Sequence, residues 1–253
     1  MIETLAVQGY RSLRDVVVGL GRLTVITGPN GAGKSNLYKA IRLLADAGHG
    51  QLIGSLARSG GLDSVRWAGP EQFSAGMRAG DLPVQGTRRT GPVRLRLGFA
   101  GDGFGYAIDL GLPTPAEAGR FPLDPRVKAE AIWSGPLLRP ATTLIDRAGG
   151  LVRTREARSW VELSSSLSGS ESILSELAGA SPEIGAVRDR LRGWRCYDPP
   201  PPLPPIGNMQ PPGILPNPPP GRGPDARTSS TWDGSSGLSS SNCIEASDRS
   251  SAP

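Results

Sequence analysis

One histidine, His49, and two cysteines, Cys196 and Cys243, occur in 253 residues. That scarcity excludes a disulfide framework and leaves no His/Cys cluster for a dedicated transition-metal site. His49 reads as a solvated residue at a helix end. No apolar run reaches the ~20 residues needed to span a bilayer. Met1-Ile2-Glu3-Thr4 lacks the basic and apolar regions of a secretory leader, so a cytoplasmic location without membrane contact is expected. A dense basic cluster is missing too. The net charge is +5, and residues 1–195 carry 25 Lys plus Arg against 18 Asp plus Glu, or +7. This permits contact with DNA or another polyanion without arguing for it alone. No Asn-Lys-x-Asp base-reading motif is present, which disfavours a GTPase, and no phosphate-acceptor site of a kinase is legible.

What the chain does contain is Gly28-Pro29-Asn30-Gly31-Ala32-Gly33-Lys34-Ser35, which matches G-x-x-x-x-G-K-[ST] at every fixed position. This is the P-loop (Walker A) pattern. A triphosphate presents many oxygens in a small volume, and a Gly-rich loop lets successive amides converge on them without Cβ obstruction. Lys34 supplies a point charge for the β and γ phosphates. The Ser35 hydroxyl suits one Mg²⁺ position, and the following helix adds the partial positive charge of its N-terminus. The candidate ATP-binding residues are therefore Gly28, Asn30, Gly31, Ala32, Gly33, Lys34, Ser35 and Asn36. Leu23-Thr24-Val25-Ile26-Thr27 suits an inner strand before the loop. Leu37, Ala40, Ile41 and Leu44 recur at helical spacing after it, and Gly48 suits the stop.

Elsewhere, residues 1–7 and Val16–Leu20 read as strands, and Leu52, Ile53, Leu56 and Ala57 as a short helix. Two hairpins are expected: residues 93–99 with 104–110, and 142–146 with 151–155. The first places Arg94 and Arg96 on the polar face near Arg88 and Arg89, open either to a DNA backbone or to solvent. Ser168 and Glu171 are spaced as a capping box for a helix through Ile173, Leu174 and Leu177. A last amphipathic helix starts at Pro182 and runs through Ile184, Val187, Leu191 and Trp194.

Between the first two strands lies Gly9-Tyr10-Arg11-Ser12-Leu13. The order strand, G-[FY]-[RK]-S, short strand, then G-P-N-G-A-G-K-S-N resembles the ABC-type ATPases of the RecF/SMC/OLD group, often labelled AAA family ATPases. Trp67-Ala68-Gly69-Pro70 and Gly135-Pro136-Leu137-Leu138-Arg139-Pro140 extend the likeness to an uncharacterised bacterial branch. The resemblance covers residues 1 to about 198. It implies an α/β P-loop NTPase fold, with residues 1–195 forming the first, N-terminal lobe of an ABC-type head with antiparallel β-hairpins. It further implies ATP and Mg²⁺ as cofactors, a homodimer in the intact family member, and a role in DNA maintenance or defence. Arg11 and Ser12 become candidates for contacting the phosphates; the competing reading of Arg11 is a structural residue in a turn. The resemblance also implies a γ-phosphate-sensing Gln, for which Gln72 and Gln85 are available and neither is singled out. The alternative in a different class is a non-catalytic nucleotide-binding or interaction module.

Hydrolysis of the ABC type needs a strand of apolar residues closed by Asp-Glu. Ala107-Ile108-Asp109-Leu110 and Leu144-Ile145-Asp146-Arg147 lack the Glu, and Asp109 and Asp146 read as turn-forming residues. Leu167-Ser168-Gly169-Ser170-Glu171 falls short of the Leu-Ser-Gly-Gly signature. From Cys196, which stands where the family usually has Phe, the character changes. Of the 25 prolines, 14 lie in residues 199–253, and Ser235–Ser251 is rich in serine. Such a tail, 196–253, is expected to be disordered. Together with the loss of the family's second lobe, it reads as a frame-shifted or aberrant end. Translating the other two frames downstream of codon 196 tests this, since an apolar-Asp-Glu strand in neither would remove the idea.

Overall fold

The computed structural model describes residues 1–70, 74–82, 91–92, 94–114 and 122–197. Gln72, Gln85, Arg88, Arg89 and the tail from Asp198 onward lie outside them. The described chain is a mixed α/β structure built on an eight-stranded antiparallel sheet. Its strands are β1 (Ile2–Tyr10), β2 (Leu13–Gly19), β3 (Arg94–Gly101), β4 (Phe104–Gly111), β5 (Arg126–Ser134), β6 (Thr143–Ala148), β7 (Leu151–Glu156) and β8 (Ser159–Ser164). The order β2-β1-β3-β4-β5-β6-β7-β8 is close to a meander, with β1 joining the first hairpin to the rest. Helices α1 (Lys34–Gly48), α2 (Leu52–Arg58), α3 (Gly61–Val65), α4 (Ala75–Ala79), α5 (Ile173–Glu176) and α6 (Pro182–Arg192) complete the fold.

Period-2 alternation decides which face is buried. Leu5 and Val7 of β1 stand beside Leu97 and Phe99 of β3, which in turn oppose Ile108 and Tyr106 of β4, followed by Glu130 and Ile132 of β5. On this face α1 and α6 pack through Leu37, Ile41, Leu44, Ile184, Val187 and Leu191, all buried. At Gly48 the two helices are in close contact: a Cβ there would lie 2.6 Å from Leu191 Cβ. The opposite face carries Gln8, Arg96 and Asp109 beside small and apolar residues such as Ala6, Ala107 and Trp133.

One charged pair does sit on the apolar face. Arg147 and Glu130 are cross-strand neighbours, 1% and 2% exposed, and most hydrogen-bonding directions of the pair are used. Arg147 donates to Glu130 Oε2 at 2.6 Å and to the carbonyls of Gly149, Ser168 and Glu171. Glu130 also accepts from Tyr106, Ser172 and the Ile173 amide. The network ties the start of α5 to the sheet. Burial, followed by the charge of Glu130, pushes the Tyr106 phenol well above its ordinary value.

Several expectations are corrected here. Leu23–Thr27 joins no sheet, and Leu23 and Val25 are 72% and 59% exposed. An inner strand needs a neighbour on each side, and among the described residues none lies alongside. Asp109 and Asp146 are not turn residues: they stand inside β4 and β6, where Asp109 pairs with Arg94 and Arg96, and Asp146 with Arg153. Arg94 and Arg96 thus spend their charge on a neighbouring strand. The cap of α5 is Ser172, whose side chain accepts from the Leu174 amide, rather than Ser168. His49 follows α1 as its C-cap, exposed to solvent.

Candidate functional site

The P-loop segment curls into a turn at Asn30–Gly31 and opens α1 at Lys34. Gly31 and Gly33 have φ of 85° and 97°, a left-handed region where an L side chain is strained. Gly33 has a second reason to lack a side chain, since a Cβ would meet Ser12 Oγ at 2.8 Å and Leu13 Cδ2 at 3.2 Å. The turn between β1 and β2 therefore presses directly against the loop. Asn36 seals the contact by donating from Nδ2 to Ser12 Oγ at 2.8 Å.

The donors of the loop are in surplus. The Ala32 amide donates to Pro29 O, and the Asn36 and Leu37 amides donate to Gly33 O. Among the described residues the amides of Gly31, Gly33, Lys34 and Ser35 have no acceptor. Helix α1 has no side-chain N-cap, and no acidic residue stands in its first turn. Bare amides at the start of a 15-residue helix form a cradle for an anion, and no carboxylate competes for it. Lys34 instead folds back, its Nζ donating to Gly28 O at 2.5 Å and Pro29 O at 2.9 Å. The loop itself is exposed at Gly28–Ala32 and at Ser35, so solvent reaches both the cradle and the hydroxyl.

Arg11 is held in the same left-handed region, φ 49°, which is uncommon for a residue with a Cβ. Its amide donates to Val65 O at 2.6 Å, and its guanidinium lies 5.7 Å from the Tyr10 ring centroid. The Nε is buried with no acceptor among the described residues. Ser12 and Asn36 are therefore brought together at the loop, and Arg11 is the residue next to that contact. The Tyr10–Arg66 bridge and the Trp67 amide bond to Gly9 O brace this turn from outside, and no local pattern announces either of them. The donor set, four bare amides with an ammonium and a hydroxyl beside them, fits a magnesium-bound polyphosphate. No group of three or more His, Cys, Asp or Glu that could hold a metal occurs among the described residues.

No helix among the described residues is long and apolar enough to cross a membrane. Residues 23–129 match the family model described as "AAA domain, putative AbiEii toxin, Type IV TA system". Over 44 residues the chain is 48% identical to the OLD nuclease of Thermus scotoductus (strain ATCC 700910 / SA-01). That stretch is 17% of this chain and 8% of the relative, so the chain covers a small part of the curated protein it matches. The two matches support a P-loop ATPase family of the AAA/ABC type.

Proposed function

We propose that the chain binds ATP through Gly28, Asn30, Gly31, Ala32, Gly33, Lys34, Ser35 and Asn36, with Ser35 taking one Mg²⁺ position. The observation that carries this reading is the set of acceptor-free amides at Gly31, Gly33, Lys34 and Ser35 over the start of α1. When bound, Mg²⁺ would neutralise charge on the terminal phosphates. Lys34 would exchange the carbonyls of Gly28 and Pro29 for phosphate oxygens. Ser12 would hold Asn36 and fix the loop against the β1–β2 turn, from which the Arg11 guanidinium can swing toward the phosphates. The larger family role we propose is ATP hydrolysis coupled to homodimerisation in DNA maintenance or defence, with residues 1–195 as the nucleotide-binding lobe and residues 196–253 as a tail outside it.

The specific reading for this chain is narrower: nucleotide binding with little or no turnover. Asp109 and Asp146, the nearest approaches to a catalytic acidic pair in the sequence, are engaged by arginines on the polar face of the sheet. Helix α1 and the P-loop belong to the other face. A non-catalytic nucleotide-binding module is accordingly favoured over an active hydrolase for the chain as it stands. Calorimetric titration with MgATP tests the site. Lys34→Ala is expected to weaken binding by about tenfold or more, the scale of a lost charge-assisted hydrogen bond. Equal affinity in the two proteins would remove the assignment.

A further inference from the structure

The face of the sheet turned away from α1 carries a trough of about 350 Å³. Ala6, Gly98 and Ala107 are cross-strand neighbours on β1, β3 and β4, so its floor is one row of residues no larger than alanine. Gly98 has no room to be larger: a Cβ there would lie 2.9 Å from Tyr106 O and 3.1 Å from Ala107 Cβ. Two residues along β4 on one side, the Trp133 indole lies against Gly105, where a Cβ would meet ring atoms at between 2.2 and 2.6 Å. Leu137 and Leu138 continue this wall and are 57% and 52% exposed. Two residues along on the other side stands the polar row of Gln8, Arg96 and Asp109. The two walls are thus four residues apart along the strands, about 13 Å at ~3.3 Å per residue.

Each wall holds a hydrogen-bonding group without a partner. Trp133 is 6% exposed, and its indole Nε1 is buried with no acceptor among the described residues. A buried donor left unpaired is costly and uncommon in a native fold. Arg96 donates from Nε to Asp109 Oδ2 and from Nη1 to Gln8 Oε1, both at 3.0 Å, which fixes the guanidinium plane and leaves Nη2 with no acceptor among the described residues. Arg94 donates to the same Asp109 oxygen, so two guanidiniums share one carboxylate and a positive charge is left over. Asp15 also borders the trough, but it stands across β1 from Arg96, about 10 Å away at two strand spacings, and is exposed to screening solvent.

We propose that the trough binds a flat heteroaromatic acid. The ring lies over Ala6, Gly98 and Ala107 with the Trp133 indole at its edge, a ring acceptor takes the Trp133 N–H, and the carboxylate takes the free edge of Arg96. A floor of alanine and glycine suits a planar ring better than a branched aliphatic one, and an indole wall favours an aromatic occupant. An apolar hollow with a few convergent polar groups is the usual form of a small-molecule site. The trough lies across the sheet from the P-loop, so the proposal stands independently of the nucleotide reading.

The probe is quinoline-6-carboxylate, which carries a ring nitrogen and an acid at opposite ends, titrated against the full chain by ligand-observed NMR. Its methyl ester removes the charge, and naphthalene-2-carboxylate removes the ring nitrogen. The wild type is expected to bind the acid saturably, about tenfold tighter than the ester and about fivefold tighter than the naphthalene analogue. Arg96→Gln should erase the first preference and keep the second, and Trp133→Phe should do the reverse. Ala107→Leu, which fills the floor, should weaken the acid about tenfold or more in a protein that still melts cooperatively. Should that variant fail to fold, Ala6→Leu fills the same row from β1 and decides. Absence of saturable binding, equal wild-type affinity for the acid and either analogue, or binding unmoved by filling the floor would overturn the proposal.

Discussion

Arg11 offers a direct way to separate structure from chemistry at a single residue. A left-handed conformation costs a residue with a Cβ about 1–2 kcal/mol relative to glycine. The fold accepts that cost at φ 49° between Tyr10 and Ser12, where glycine would be the unstrained choice. If the side chain served only the turn, glycine would relieve the backbone strain and lose little beyond the contact with the Tyr10 ring. If it serves the phosphates, glycine would stabilise the turn and harm binding. The proposed role therefore predicts that Arg11→Gly keeps or raises the melting temperature while MgATP affinity falls about tenfold. A variant with higher stability and unchanged affinity would assign Arg11 to the turn alone. The neighbouring Gly33 gives the complementary case. Its φ of 97° and the 2.8 Å approach of a virtual Cβ to Ser12 Oγ make Gly33→Ala costly to the loop on both conformational and steric grounds.

At the level of elements, the join between α5 and the sheet rests on ionic contacts inside an apolar layer. Removing one member of a buried ion pair leaves the other charged and desolvated, at about 3–5 kcal/mol, whereas removing both costs much less. Arg147→Met is accordingly expected to lower urea stability by that amount, and the double change Glu130→Gln with Arg147→Met to recover part of it. Additive losses would mean that the carbonyl contacts to Gly149, Ser168 and Glu171 carry the stabilisation rather than the pair. None of this is visible in sequence, where Glu130 and Arg147 are ordinary surface residue types 17 positions apart. Local patterns were legible: helix α1 from its apolar spacing, the β3–β4 and β6–β7 hairpins from alternation around Gly-containing turns, and α6 from Pro182. Strands β5 and β8 were not, because β5 is broken by bulge-like register shifts and β8 is exposed on both faces. Leu23–Thr27 failed in the opposite direction. Its residues state a buried strand, but burial depends on neighbours that local sequence does not supply. At the candidate site, residues 28–36 carry their pattern locally, whereas the Ser12–Asn36 contact and the fold-back of Lys34 depend on tertiary packing that no local pattern encodes.

Across the molecule the two faces of the sheet divide the work. The apolar face holds α1 and thereby the P-loop, while the carboxylates of β4 and β6 lie on the polar face and are neutralised there by Arg94, Arg96 and Arg153. Phosphate binding needs only the first of these arrangements, because amides, an ammonium and a helix terminus are all local to residues 28–37. Hydrolysis needs more: a carboxylate must orient water in line with the γ phosphate, and neither Asp109 nor Asp146 can do so without leaving its arginines and crossing the sheet. Binding and turnover should therefore separate in this chain. Single-turnover measurements with excess protein over MgATP are expected to give saturable binding and a hydrolysis rate indistinguishable from that of Lys34→Ala. Using excess protein also favours any self-association, so low turnover could not be blamed on dilution of a dimer. A wild-type rate well above that of Lys34→Ala would mean that an acid outside β4 and β6 reaches the loop, and the reading as a non-catalytic nucleotide-binding module would give way to that of a working ATPase.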